Sequence, residues 1–292
     1  MKLATFSHAG TVKAGVVIDD TIAVCAAGGD GRDAVRALIE AGDGALARWR
    51  DIAADPPETV ALSDVDLMAP IPEPRRNIFC VGKNYRAHAA EFHSSGHDST
   101  GKEAVPEAPV IFSKATTCVI GPGEAIRGSL DPTGSTDYEG ELCAVIGKRA
   151  FQVAKGDAYD YVFGYTILND VTARVLQSKH NQWLIGKSLD TFGPLGPYIV
   201  TADEVGDVTE LELETRVNGE TRQKASVGDL IFDIPTLIEI MSATMTLLPG
   251  DIIATGTAAG VGLGFDPPRY LVAGDIVAVR FTGIGELSNP VV

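Results

Sequence analysis

The chain has 292 residues, a formal net charge of −15 at pH 7 and an isoelectric point near 4.7. Nucleic acids and anionic membrane surfaces both require a basic face, so this charge argues against either as a partner. The N-terminus lacks the apolar core of a signal peptide, and no apolar run approaches the roughly 18 residues of a membrane span. Because the four cysteines also form no close pair, we expect a cytoplasmic protein with reduced thiols.

Residues 1–72 are predicted to form a small α+β domain. The stretch AGVVIDDTIAVCA is typical of a β-hairpin with an Asp-Asp turn. The stretch GRDAVRALIEAGDGALARWRDIAA has apolar residues at helical spacing and a glycine interruption, which predicts two short helices. The proline-rich LMAPIPEPRR then indicates an extended linker that leads into a second domain, residues 73–292.

Short β-branched runs bounded by glycine recur in the second domain, among them NIFCVG, APVIFSK, ELCAVIG, YVFGYTILND, LELETRVNG, DIIATGT and DIVAVRFTGIG. This pattern is typical of a sandwich or barrel of antiparallel strands. Helical periodicity is best in TARVLQSKHNQWL and IPTLIEIMSATMTL. The polar, glycine-bearing segment from Ala87 to Val105 can bury little surface, so we predict a loose lid over a site.

The stretch DYEGELCAVIG places Glu139 and Glu141 on one side of a predicted strand, directly before an apolar run. Two ionised carboxylates in such a place repel each other and lose hydration. Either this is an edge strand with its polar side in water, or a cation lies between the two groups. A second apolar run, YVFGYTILND, ends at Asp170, and three acids without a cysteine or histidine cluster suit a hard dication such as Mg²⁺ or Mn²⁺.

Two other motifs contain groups suited to catalysis. In VGKNYRAHAAEF, His88 and Glu91 are three residues apart, so on one helix face the carboxylate would orient the histidine as a general base. The alternative is an exposed pair on a surface helix. In QWLIGKSLDTFGPLGP, Lys187 is either a surface lysine or a buried one that requires an anionic partner.

Eight segments, in this order, resemble the fumarylacetoacetate hydrolase family. They are VGKNYRAHAAEF, PVIFSKATTCVIGPGEAI, DYEGELCAVIG, GYTILNDVTARVLQ, GKSLDTFGPLGP, VNGETRQ, LLPGDIIATGTAAGVG and GDIVAVRFTGIGELSNPV. The resemblance covers nearly everything from about Arg75 to the C-terminus. The N-terminal unit is loosely similar to the small leading domain of the longer bacterial members.

The resemblance implies a mainly β fold with some α, namely a mixed β-sandwich roll with a small α+β N-terminal domain, in a homodimer. It also implies three groups of site residues. The ligands of an Mg²⁺, Mn²⁺ or Ca²⁺ ion would be Glu139, Glu141 and Asp170. The catalytic residues would be His88, Glu91 and Lys187. The substrate-binding residues would be Arg174, Gln177 and Thr257.

By the same resemblance, the substrate is a small anionic 2-oxo acid from aromatic or sugar-acid catabolism. We expect a hydrolase in which His88 activates a water that cleaves a 2,4-dioxo acid of the acylpyruvate or fumarylpyruvate type. The metal and Lys187 would stabilise the pyruvate-type enolate that leaves. The same groups would serve a decarboxylase or isomerase of a 2-oxo or 2-hydroxydienoic acid, such as oxaloacetate or hydroxyheptadienedioate. A metal-binding protein without catalysis is the third alternative.

Overall fold

The structure is a computed structural model that describes residues 1–26, 31–96 and 105–292. In the N-terminal part the strands are β1 (Lys2–His8), β2 (Thr11–Ile18), β3 (Thr21–Ala26), β4 (Thr59–Ala61) and β5 (Asp66–Leu67). The helices there are α1 (Ala34–Ala41) and α2 (Asp43–Ala54). The predicted hairpin and the two short helices are therefore confirmed, and Gly42, with a φ of 73°, separates the helices.

The remainder of the chain is richer in strands. They are β6 (Ile78–Gly82), β7 (Val110–Lys114), β8 (Val119–Ile120), β9 (Thr136–Asp137), β10 (Gly140–Ile146), β11 (Val162–Asn169), β12 (Thr172–Ala173), β13 (Gly193–Thr201), β14 (Glu212–Val217), β15 (Glu220–Ser226), β16 (Ile252–Thr257), β17 (Ile276–Phe281) and β18 (Gly285–Pro290). The α-helices are α3 (Arg86–Ser94), α4 (Arg174–Lys179), α5 (Leu184–Lys187), α6 (Ala202–Val205) and α7 (Ile234–Ser242). Short 3₁₀ turns lie at Gly31–Asp33, Leu62–Asp64, Thr116–Cys118, Gly128–Leu130, Lys155–Tyr161, Val208–Glu210, Val227–Asp229 and Gly262–Gly264.

Both helices predicted in this region are shorter than their periodic sequences. In TARVLQSKHNQWL the backbone becomes extended at His180, so α4 ends at Lys179 and α5 begins only at Leu184, the last residue of the stretch. Helix α7 begins after Asp233, whose side chain accepts the backbone N–H of Thr236 at 2.9 Å, with a proline in the first turn. It ends at Ser242, although the periodic sequence continues to Leu247.

One large sheet runs through both parts of the chain, in the order β4-β3-β2-β1-β13-β11-β10-β16-β6-β7, with β5 beside β1 and β8 beside β13. Most neighbours are antiparallel, as expected, but β16 pairs with β6, and β13 with β8, in parallel. The sheet is therefore mixed. The N-terminal strands join it through β1 and β13, where Lys2 lies opposite Val200; the division at residue 72 stays a prediction.

A second sheet, β15-β14-β17-β18, covers one face of the large sheet, and α1 and α2 cover part of the other face. Strand β10 shows this division, since Leu142 and Ala144 belong to one apolar cluster and Cys143 and Val145 to the other. The mainly β fold with mixed sheets is confirmed. Strand β10, which contains Glu141 and begins directly after Glu139, thus lies between the two apolar clusters.

No helix within the described ranges has both the length and the apolar character to cross a bilayer. All four cysteines are free, and Cys80, Cys118 and Cys143 are buried, which raises the pKa of each thiol above its usual value. These cysteines therefore act as small core residues.

Candidate active site

The pairing of β10 with β11 brings the acids together. The two strands are antiparallel and Gly140 lies opposite Asn169, so the start of β10 and the end of β11 meet at one edge. The backbone N–H of Asp170 donates to the carbonyl of Glu139 at 2.8 Å, and the Asn169 side chain accepts the N–H of Glu139 at 3.0 Å. Because β10 lies between β11 and β16, the alternative of a solvated edge strand is wrong.

Glu139, Glu141 and Asp170 form a buried carboxylate triad. Their side chains are 4%, 1% and 0% exposed, and one oxygen of each lies within 4.8 Å of the others. Gly140 lets the second sheet approach, because a Cβ there would lie 2.4 Å from the Thr215 hydroxyl. Three carboxylates without a nitrogen or sulfur donor match the ligands that Mg²⁺ and Mn²⁺ prefer.

Lys187 and Arg174 are buried cations that contact the triad. The Lys187 ammonium lies 2.7 Å from both Glu139 and Asp170, so the surface-lysine alternative is wrong. The Arg174 guanidinium lies 2.8 Å from Asp137 and 2.6 Å from Glu139, and it donates to Gln177 at 3.2 Å. Within the described part of the chain, the buried Nη2 of Arg174 has no hydrogen-bond partner. That orphaned donor fits a site completed by an anionic ligand.

The surroundings shift the pKa values of Glu139 and Glu141 in opposite directions. Burial by itself would raise the pKa of Glu139, but the Lys187 and Arg174 charges outweigh it and bring the pKa down to about 2. Burial, with the negative charges of Asp170 and Glu139, raises the pKa of Glu141 well above its usual value. Glu141 is thus the carboxylate least compensated by the chain, which fits a position beside an added dication.

Sequence reasoning missed Lys114 and Asp137, two charged residues that contact the triad or the cations that hold it. Lys114, at the end of β7, is fully buried; its ammonium lies 2.7 Å from Asp170 and donates to the carbonyls of Val171, at 3.1 Å, and Lys187. Asp137 is also fully buried and accepts the N–H groups of residues 262 and 263 at 2.7 and 3.0 Å. The one signal was a charged residue at the end of an apolar run, as in VIFSK.

The buried charges in and around the cavity balance. Four carboxylates (Asp137, Glu139, Glu141 and Asp170) and four cations (Lys83, Lys114, Arg174 and Lys187) leave no net formal charge. A bound dication would change this sum to +2. The loaded site would therefore attract an anionic substrate although the whole chain carries −15.

His88 and Glu91 form a dyad on α3. The Nδ1 of His88 lies 3.0 Å from one Glu91 oxygen, and the other oxygen accepts the backbone N–H of Gly260 at 3.0 Å. Since a carboxylate only accepts, Nδ1 carries the hydrogen of the neutral ring and Nε2 keeps the lone pair that a base requires. His88 is 5% exposed, so the alternative of an exposed surface pair is wrong.

The dyad and the triad share one cavity. His88, Glu139, Glu141, Arg174, Gln177, Lys187 and Thr257 all line it. Its apolar wall is formed by Phe92, Phe112 and Trp183, with the Trp183 ring 5.0 Å from that of Phe112. The cavity volume is only about 10 Å³, roughly the room of one water molecule.

Thr257 belongs to the cavity through β16. It is 2% exposed; its hydroxyl donates to the carbonyl of Gly140 at 2.9 Å and accepts from Gln223 at 2.8 Å. Its methyl group and backbone are thus the parts left for a substrate.

Of the predicted lid, residues 97–104 lie outside the described residues, while its first part is helix α3. The loose lid stays a prediction.

Two family models match the chain. Residues 77–292 match the model "Fumarylacetoacetate (FAA) hydrolase C-terminal", and residues 1–70 match "Rv2993c-like, N-terminal". The first match contains every residue of the dyad and the triad. It spans well over half of the chain.

Curated relatives and a solved structure agree with these matches. The chain is 51% identical over 232 residues to "Oxaloacetate tautomerase YisK" of Bacillus subtilis, covering 79% of this chain and 74% of the relative. It is 38% identical over 260 residues to "Oxaloacetate tautomerase fahd2, mitochondrial" of Xenopus laevis, covering 88% and 78%. A maleylpyruvate hydrolase from Sphingobium sp. SYK-6, solved with manganese(II) and pyruvate, superposes with a TM-score of 0.81 at 33% identity, covering 100% of this chain and 99% of that one.

Proposed function

Because the chain belongs to the fumarylacetoacetate hydrolase family, we propose that it is a divalent-metal-dependent enzyme that tautomerises a small 2-oxo acid of the oxaloacetate class between its keto and enol forms. The observation that carries this proposal is the His88 base beside a carboxylate triad in one cavity. The tautomerase relatives support the choice of reaction.

The 2-oxo acid end of the substrate would lie at the triad. An Mg²⁺ or Mn²⁺ ion held by Glu139, Glu141 and Asp170 would supply Lewis-acid polarisation of the 2-oxo group. The orphaned Nη2 of Arg174 would donate to the neighbouring carboxylate. The aromatic wall keeps water out, which strengthens each of these interactions.

The His88 imidazole would move the proton. Its Nε2 accepts a proton from the carbon next to the 2-oxo group, and the electron pair of that C–H bond forms the enolate. Glu91 stabilises the imidazolium, and the Lys187 ammonium stabilises the enolate charge. The imidazolium then returns the proton to the enolate oxygen, so the product is the enol and no atom is gained or lost.

Cleavage of an acylpyruvate is the second candidate. The same dyad can deprotonate a water for attack on a carbonyl, and the maleylpyruvate hydrolase neighbour favours this reaction. It ranks second because the tautomerase relatives share 51% and 38% identity with this chain, whereas the hydrolase neighbour shares 33%. A decarboxylase would use the same enolate and is distinguished by its products.

The products separate these reactions. Enolic oxaloacetate is offered to the Mn²⁺-loaded protein, with the protein treated with chelator and the His88→Asn variant as controls. We expect loss of the enol absorbance well above the buffer rate, without release of carbon dioxide. An enol decay equal to that in buffer, together with cleavage of an acylpyruvate into two acids, would replace the proposal by the hydrolase. The homodimer implied by the resemblance stays a prediction.

A further inference from the structure

Lys83 is a cavity residue with no part in the mechanism above. It follows β6 directly, lines the cavity and is 3% exposed. Its backbone is left-handed, with a φ of 56°, which a lysine adopts only where its surroundings fix it. The next residue does so, since the Asn84 side chain donates to the carbonyl of Thr255 at 2.7 Å and accepts the N–H of Phe232 at 2.8 Å.

The segment that carries Lys83 is fixed on two sides. A Cβ on Gly82 would lie 2.5 Å from the Trp183 ring, and a Cβ on Gly256 would lie 2.7 Å from the Cβ of Asn84. Strands β6 and β16 run in parallel, so both end at the edge of the sheet where the cavity lies. The lysine is therefore presented by rigid backbone and not by a loose loop.

Three cationic side chains line the cavity, those of Lys83, Arg174 and Lys187. Arg174 and Lys187 both contact Glu139, at 2.6 and 2.7 Å, and so face the triad. Lys83 comes from the segment that leads into α3, the helix of the base His88. In a 2-oxo dicarboxylate of four carbons, the second carboxylate is bonded to the carbon that loses its proton. That carboxylate would therefore lie close to His88, and Lys83 is the cavity cation on the segment that leads to His88.

We infer that Lys83 is a specificity-determining residue that binds the distal carboxylate of the substrate and makes this site selective for dicarboxylates. The inference rests on the proposed function for the orientation of the substrate. A charge-assisted hydrogen bond in a buried site contributes about 1.5–3 kcal/mol, which corresponds to roughly 10- to 100-fold in affinity. A monocarboxylate of the same 2-oxo or 2-hydroxy acid type would lose that factor.

A binding experiment can test this without turnover. Malate and lactate are both 2-hydroxy acids and differ in the distal carboxylate, and neither can tautomerise. Titration calorimetry with the Mn²⁺-loaded protein compares the two ligands for the wild type, Lys83→Met and Lys83→Arg. Methionine has the length of lysine without its charge, and arginine retains the charge. A Mn²⁺ titration of each variant shows that the metal site is intact.

We expect the wild type to bind malate at least tenfold more tightly than lactate, Lys83→Met to lose most of this ratio, and Lys83→Arg to keep much of it. A wild type that does not discriminate, or a Lys83→Met ratio equal to that of the wild type, would overturn the inference. If Lys83→Met does not fold, Lys83→Gln replaces it in the same comparison. If Lys83 confers a preference for malate but the protein does not tautomerise oxaloacetate, the proposed reaction is refuted and the inference about Lys83 stands.

Discussion

The Nδ1 atom of His88 lies 3.0 Å from a carboxylate oxygen of Glu91, one helical turn further along α3. This contact leaves Nε2 as the base, so removal of the ring should remove the proton transfer. We expect His88→Asn to lower kcat for tautomerisation on the order of 10²- to 10⁴-fold with little change in Mn²⁺ affinity. Stopped-flow decay of the enol measures the first quantity and calorimetry the second.

Glu91→Gln is the matched variant for the same contact. Its amide oxygen can still accept from Nδ1, but it cannot stabilise the imidazolium by charge. We therefore expect a smaller loss of kcat than for His88→Asn. If neither variant slows the reaction, the dyad does not move the proton. If hydrolysis of an acylpyruvate is slowed and tautomerisation is not, the dyad activates water and the second candidate is correct.

Gly264 lies against Glu91, and this allows the dyad to be disturbed without altering either member. A Cβ at Gly264 would lie 1.8 Å from a Glu91 carboxylate oxygen, so Gly264→Ala must displace that carboxylate from His88 and from the N–H of Gly260. We expect a loss of kcat comparable with that of Glu91→Gln. Gly156→Ala is the control, because a Cβ there meets nothing within 4 Å. Equal activity of the Gly264→Ala variant and this control would show that the contact has no role in turnover.

Lys187 and Lys114 both contact Asp170 but differ in their other partners. Lys187 also contacts Glu139, and both carboxylates would be neutralised by a dication. We expect Lys187→Met to lower kcat by roughly 10²- to 10³-fold while Mn²⁺ affinity stays equal or rises, because a repelling cation is removed.

Lys114→Met should behave differently. It would leave the carbonyl of Val171 and one oxygen of Asp170 without their buried partner. We expect a lower melting temperature even with saturating Mn²⁺, together with weaker Mn²⁺ binding, because Asp170 loses the group that orients it. Calorimetry and thermal unfolding, run on both lysine variants, separate the two roles. The same result for both variants would contradict the distinction.

The triad could be predicted from the sequence because its placement is local. Alternation puts Glu139 and Glu141 on one side of a strand, and an apolar run that ends in an acid indicates Asp170. The pair of His88 and Glu91 follows in the same way from helical spacing.

Lys114 and Asp137 could not be predicted, because long-range packing places them. Lys114 reaches Asp170 from β7, which lies three strands away from β10 in the large sheet. The parallel pairing of β6 with β16, which brings Lys83 beside the site, also has no local sequence signal.

Asp131 predicts a pH dependence away from the site. Burial raises its pKa, but hydrogen bonds from Thr133 and Ser135 outweigh this and hold the pKa below its usual value of 3.8. A carboxyl with a lowered pKa stabilises the fold above its unfolded pKa, and this stability is lost as the pH falls through the folded value. We expect Asp131→Asn to cost about 1–3 kcal/mol near neutral pH and progressively less below about pH 4.

Urea unfolding of the wild type and the variant at a series of pH values measures the difference in their free energies of unfolding. The contributions of titratable groups that both proteins share cancel in this difference. Asp157→Asn, at an exposed position, should show no such change. A difference that grows on acidification would contradict the sign of the pKa shift at Asp131.

One variant at Glu141 tests both the metal site and the destabilisation of the metal-free fold by repulsion among the buried carboxylates. Burial and the charges of Asp170 and Glu139 raise the pKa of Glu141 well above 4.5, so the metal-free fold loses stability as the pH rises above that value. Glu141→Gln removes this repulsion together with one ligand. We therefore expect the metal-free variant to melt at or above the wild-type temperature at pH 7, while its Mn²⁺ affinity falls at least tenfold and its activity falls with it.

Because a ligand stabilises only the state that binds it, the rise in melting temperature on adding Mn²⁺ should be large for the wild type and small for the variant. Glu210→Gln, at an exposed position, should match the wild type in both measurements. Wild-type Mn²⁺ affinity in Glu141→Gln would show that the ion is not held at the triad, and a lower metal-free melting temperature would show that the Glu141 carboxylate stabilises the empty site instead of straining it.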